Sequence, residues 1–232
     1  MARSARTSLP GYPHLVVQRC LDGSSIFGEQ GDFEIYLTLL WDYAGKYRLE
    51  IWAYCLMTDN VRFVCLPKSD GGLSRAFNTI HMRYAQRRYS RNSVTGPLWR
   101  GRFLSCMLDG PSALEEVRQV ENAPVRAGLA AKAEDYPWSS ARCHVLGADD
   151  PVVCESPFLK DEIGDWSAYL SDVGDERILT RTRQRLKTGR PAGEDRFVHD
   201  LEERVGRRLL SRPRGRPRRS PKTAGGPDRA SG

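Results

Sequence analysis

EIWAYCLMTDNVRFVCLPK, residues 50–68, has the pattern of two strands meeting at a polar turn. Ile51, Ala53, Cys55 and Met57 alternate with Trp52, Tyr54 and Leu56 in an almost wholly apolar run, which suits a strand buried on both faces. Thr58-Asp59-Asn60 supplies the turn, because short polar side chains bond their own backbone there. Val61, Phe63 and Cys65 then alternate with Arg62, Val64 and Leu66. Pro67 has no N–H for a ladder and stops the second strand.

Upstream, His14 to Cys20 alternates as a first strand after the Pro10-Gly11 turn signal. Phe33, Tyr36, Leu37, Leu40, Trp41 and Ala44 have helical spacing and predict a helix over roughly residues 29–46. Downstream, Gly71-Gly72 opens a second helix whose buried stripe is Leu73, Ala76, Phe77, Ile80 and Tyr84. Arg83, Arg87 and Arg91 fall four apart on its other side. Pro97 to Phe103, PLWRGRF, leads into a fourth strand over Leu104–Leu108. In that segment arginine and tryptophan stand side by side, and two readings stand open, backbone contact with base stacking, or Trp99 and Phe103 as core with the arginines facing solvent. Ser112 with Glu115 three residues on is a capping-box pattern for a third helix, which Pro124 ends or kinks. The order β-α-β-β-α-β predicts an α+β fold, a ferredoxin-like split βαβ antiparallel sheet with helices on one face. The second and third strands are expected at its centre.

Here the chain resembles a known family, the HUH-type single-tyrosine DNA transposases in the branch called REP-associated tyrosine transposases. Ala53-Tyr54-Cys55-Leu56-Met57, Leu98-Trp99-Arg100-Gly101-Arg102-Phe103, Pro124-Val125-Arg126-Ala127-Gly128-Leu129 and Asp135-Tyr136-Pro137-Trp138-Ser139-Ser140 carry the resemblance. It implies strand transfer on single-stranded DNA, in which two histidines hold Mg²⁺ or Mn²⁺ and a tyrosine attacks the phosphodiester. Those positions are substituted here. The histidine positions are Asn60 and Arg62, the tyrosine position is Gln119, and the asparagine before proline is Ala123. Arginine has no lone pair for a metal and its cation repels one, and an amide is no nucleophile. No catalytic residue, metal ligand or cofactor is therefore expected. An alternative keeps activity with displaced groups, Asp59 and Asn60 holding Mg²⁺ and Tyr84 or Tyr89 supplying a hydroxyl. A further alternative is RNA binding, which the same strand order also hosts.

Charge placement points to nucleic acid as the partner. The chain carries a net +7. Residues 181–222 hold fifteen Lys/Arg and five Asp/Glu, so the remainder is slightly acidic. Between Gly71 and Leu108 lie seven arginines and no acid. Positive charge that is placed rather than spread marks a polyanion partner. The expected DNA contacts are Arg19, Arg62, Arg83, Arg87, Arg91, Arg100, Arg102, Arg126, Arg214 and Arg216. The last two belong to Arg214-Gly215-Arg216-Pro217, which resembles an AT-hook, where arginines enter a narrow A·T minor groove. The bland reading of that run is a disordered basic tail.

The expected partner is single-stranded or hairpin DNA, bound by a monomer or a homodimer. No apolar run approaches the roughly 18–20 residues of a membrane span, and MARSARTSLPGYPH lacks the apolar region of a secretory signal. Six cysteines without CxxC spacing fit reduced thiols in the cytoplasm, and the DNA partner implies association with the nucleoid. The expected organisation is a transposase-like domain over residues 1–146, a helical extension over 147–210, and the basic tail over 211–232. In the extension, two helices around the Gly189–Gly193 break fit a helix-turn-helix-like unit, or equally any helical hairpin.

Overall fold

The computed structural model describes residues 8–21, 24–92, 96–172 and 174–209. The first six elements are β1 (His14–Arg19), α1 (Gln30–Lys46), β2 (Leu49–Leu56), β3 (Asn60–Pro67), α2 (Gly72–Asn92) and β4 (Leu104–Met107). Their strands form one sheet in the order β2-β3-β1-β4, with every neighbouring pair antiparallel. The α1 crossover skips one strand position, into which β3 folds back. This is the split βαβ of a ferredoxin-like α+β fold.

The centre of the sheet differs from the sequence expectation. It is β1 and β3, and β2 is an outer strand. An apolar run on both faces reports what lies above and below a strand, not its place in the ladder. Val16, Val61, Phe63 and Cys65 face Tyr36 and Leu40 of α1 and Leu73, Phe77 and Ile80 of α2. Leu15, Val17, Ala53, Cys55, Val64 and Leu66 face the other way, against α3 (Gly110–Glu121) through Ala113, Val117 and Val120. So α1 and α2 share one face, but helices are not confined to it. Both faces of β2 and β3 are apolar, and each must be removed from water.

Local chemistry sets the helix ends. Asp109 caps α3, its carboxylate accepting from the Ser112 N–H at 2.9 Å and from the Glu194 N–H at 2.8 Å. The cap therefore lies three residues before Ser112, which is itself buried. Pro124 sits in the first turn of a new short helix, α4 (Ala123–Arg126), where its missing N–H is harmless.

The rest of the described chain wraps this sandwich with α5 (Ala141–Leu146), α6 (Pro157–Glu162), α7 (Trp166–Ser171), α8 (Glu176–Thr188) and α9 (Asp195–Val205). Along the outer edge of β2, the Leu56 N–H donates to the Trp138 carbonyl at 2.9 Å and the Cys154 N–H to the Ile51 carbonyl at 2.8 Å. Beside β4, Ala192 accepts from the Asp109 N–H and donates to the Met107 carbonyl at 2.7 Å. The helix α8 packs on α3 and β4, with Leu179 and Thr182 buried. The helix α9 sets Val198 and Leu201 against Met107. Among the described residues, no helix is long and apolar enough to cross a membrane. All six cysteines are free thiols.

One buried ion pair ties α1 to α2. Asp32 accepts from the Gly28 and Glu29 N–H groups and from Arg88 Nη1 at 2.8 Å, with its side chain 3% exposed. Removing one partner of such a pair strands the other charge in the protein, which costs about 3 kcal/mol or more. Asp32→Ala is therefore expected to lower the midpoint of urea unfolding strongly, while Glu34→Ala on the exposed side of α1 leaves it nearly unchanged.

Candidate nucleic-acid interface

The pleat of β3 sends Asn60 and Arg62 to the same face as Val64 and Leu66, beneath α3. The two histidine positions of the resembled family thus look towards the helix that carries Gln119. Arg62 Nε donates to Asn60 Oδ1 at 2.9 Å, and Asn60 Nδ2 donates to Asp59 Oδ1 at 2.6 Å. Gln119 is buried, and its backbone carbonyl accepts from Arg126 Nη2 at 2.6 Å. Ala123 is buried at the start of α4. Arg62, Gln119 and Arg126 therefore belong to one face, as their sequence separation alone does not require.

This donor set does not fit a divalent ion. The amide oxygen of Asn60 is held by a guanidinium, whose charge repels a cation. Among the described residues, no group of three or more His, Cys, Asp or Glu side chains is placed to hold a metal.

The tyrosines considered as displaced nucleophiles lie elsewhere. Tyr84 is 1% exposed on α2, across the sheet from Arg62, and its hydroxyl donates to the Ile26 carbonyl at 2.8 Å. Tyr89 lies on the same helix, and its hydroxyl accepts from the Leu98 N–H. Tyr136 does reach the α3 face, but it donates to the Leu56 carbonyl at 2.9 Å, and burial pushes its phenol up to about 12.

Two residues that sequence reading did not single out complete the face. Glu116 of α3 is 4% exposed. Burial pushes its carboxyl up to about 7, opposed by the charge of Arg62 and, more weakly, by those of Arg183 and Arg126. Arg183 comes from α8. Burial also lowers the Arg62 and Arg126 guanidiniums, and the charges of Arg62 and Arg183 lower Arg126 further. Glu116 stands one helical turn before Gln119, which was the available signal. Arg183 flanks the buried Leu179 and Thr182 stripe, a signal visible only once α8 is known to dock on α3.

The other arginines divide into two groups. Arg19 ends β1 opposite Asn60 in the register. The segment 98–101 is strapped to that end of the strand: the Arg100 N–H donates to the Arg19 carbonyl at 3.0 Å, and Gln18 Nε2 donates to the Gly101 carbonyl at 3.2 Å. Arg19, Arg100 and Arg102 are exposed there together. Gly101, at φ +83°, makes the turn that a side chain would strain. Trp99 and Phe103 resolve as core: Trp99 Nε1 donates to the His81 carbonyl and its ring packs on His81 and Tyr84, while Phe103 is 3% exposed.

Arg83 and Arg87 stand exposed on α2, beside Leu39, Gln86 and Ser90. That helix covers the opposite face of the sheet from Arg62, so the two groups are separate surfaces. Arg91 is drawn to Glu29 at 2.6 Å and lies 4.0 Å from Asp32. The row is free of acid on its own helix, but the start of α1 supplies two carboxylates. Arg214 and Arg216 lie outside the described residues.

Comparison with known proteins gives one kind of likeness. No family model matches the chain, and no curated protein does. Seven chains of solved structures match. One, a REP-associated tyrosine transposase bound to a REP hairpin, superposes with a TM-score of 0.55 at 15% sequence identity, over 67% of this chain and 93% of that one. The likeness is one of fold.

The Glu116 carboxyl gives a pH signature. Its value is raised from 4.5 to about 7 on folding, so the folded state holds the proton more tightly. The stabilisation is full below about pH 4.5 and is lost as pH rises through about 7. Glu116→Gln cannot ionise. Denaturant melts are expected to show that variant roughly 1–3 kcal/mol more stable than wild type near pH 8, a gap that closes near pH 5.

Proposed function

We propose that this chain is a DNA-binding protein of the REP-associated tyrosine transposase kind, which grips single-stranded or hairpin-forming DNA without cutting it. The observation that carries the reading is the substitution of two facing surfaces in a shared fold. Where the resemblance puts a metal ligand, β3 presents Arg62. Where it puts the nucleophile, α3 presents Gln119. One solved neighbour of this fold is bound to a REP hairpin. A guanidinium at the former ligand position neutralises a phosphate oxygen and forms directed hydrogen bonds with it, but it generates no attacking group. Arg19, Arg100 and Arg102 extend the same positive edge. Arg83 and Arg87 offer a second surface that tracks a backbone, and the Arg214-Gly215-Arg216-Pro217 run adds minor-groove affinity. The reading places the protein at the nucleoid, as a monomer or a homodimer.

The test is a binding titration and a nicking assay on one hairpin oligonucleotide. Binding is expected to weaken steeply with salt, with Arg62→Ala reducing affinity about tenfold and flattening the salt slope by about one. With Mg²⁺ or Mn²⁺ present, no tyrosine-linked DNA adduct is expected on denaturing gels. An adduct would overturn the absence of cutting. Preference for RNA of the same sequence in competition would overturn the choice of DNA.

A further inference from the structure

The α3 face brings together arginines from three elements. Arg62 leaves β3 beneath α3, Arg126 of α4 donates to the Gln119 carbonyl of α3, and Arg183 lies on α8, which packs on α3. Glu116, 4% exposed on α3, feels the charge of all three. The neighbouring Glu115 is engaged elsewhere, because Arg118 Nη1 holds its Oε2 at 2.7 Å. Asp59 accepts from the neutral Asn60 amide and keeps its charge near Arg62, but Arg19 sets a further cation against the same guanidinium. Glu176 meets Arg183 at 3.0 Å where both side chains are more than half exposed. Cys55 and Cys106, which also face this site, are buried thiols whose values are pushed upward and add no negative charge at neutral pH.

Each of two guanidiniums is anchored through one nitrogen. Arg62 is tied through Nε, and Arg126 is tied through one Nη to a backbone carbonyl. A guanidinium has five N–H groups in a flat fork, matched to a carboxylate or phosphate edge. Fixing such forks by one nitrogen each orients the rest. Like charges brought together and partly dehydrated are unfavourable unless an anion completes them, a pattern typical of binding sites.

We infer that Arg62, Arg126 and Arg183 form a receptor for one phosphodiester group of bound DNA, with the Glu116 carboxyl set among the guanidiniums as an internal competitor for it. The inference rests on the DNA-binding reading and adds the pocket, the contribution of α8 and the role of the carboxylate. Glu116 competes with the phosphate for the same cations. It does so fully when ionised and little when protonated.

The experiment uses the full chain with Arg126→Ala, Arg183→Ala and Glu116→Gln. The first two replace exposed side chains, and their folding is checked by thermal melting. Hairpin affinity is read by fluorescence anisotropy across a salt series, and pyrophosphate is used as a second probe in melting experiments. Each arginine variant is expected to bind the hairpin about five- to tenfold more weakly, with the salt slope reduced by about one. Glu116→Gln is expected to bind several-fold more tightly than wild type near pH 8 and equally near pH 6. Pyrophosphate is expected to raise the melting temperature of wild type but not of the arginine variants. If wild type binds the hairpin while both arginine variants match it in affinity and slope, the receptor is wrong and the DNA reading stands. If wild type binds no DNA, the DNA reading fails. The receptor then survives as a phosphate site only if pyrophosphate still stabilises wild type alone, and it falls if no variant responds differently.

Discussion

The pleat of β3 is the constraint on which the molecule depends. Successive side chains of a strand must leave on opposite sides, so Val61, Phe63 and Cys65 are committed to α1 and α2 once Arg62, Val64 and Leu66 are committed to α3. A one-residue slip would drive Arg62 into the aromatic layer around Tyr36 and Phe77 and would lift Phe63 towards Glu116. The register with β1, which pairs Val16 with Phe63 and Arg19 with Asn60, blocks that slip. The position of the Arg62 cation under α3 is thus enforced by the apolar burial of its immediate neighbours, Val61 and Phe63, on the opposite face.

The same face is held by its own hydrogen bonds. Arg62 folds back onto Asn60, and Gln119 uses its carbonyl rather than its side chain to hold Arg126. On the proposed reading, a guanidinium and an amide stand where the resembled family presents a ligand and a nucleophile. Arg126 and Arg183 keep exposed side chains on this face and Arg62 is partly buried, so of these charged groups only the Glu116 carboxyl is removed from water there.

Much of the architecture was legible in the sequence, and the misreadings have physical causes. The strand order followed from alternation and turn chemistry. The place of β2 in the ladder did not, because periodicity senses the layers above and below and is blind to lateral neighbours. Ser112 looked like a cap because a hydroxyl and a glutamate have the right spacing, whereas the carboxylate of Asp109 serves two N–H groups at once. Arg91 seemed part of an open row because its neutralising partners are some sixty residues away in the chain. At the candidate site, Arg62 and Gln119 could be found through a resemblance. Glu116 and Arg183 required knowing that α8 lies on α3, a tertiary fact with no local signature.

The outer edge of β2 is partly covered by its own chain. Trp138, Ser140 and Cys154 take up backbone groups of Leu56, Tyr54 and Ile51, and Ala192 bonds Met107 and Asp109 at the end of β4. At those positions a visiting strand finds amides and carbonyls already satisfied, which blunts the usual route by which small sheets recruit one another into fibrils.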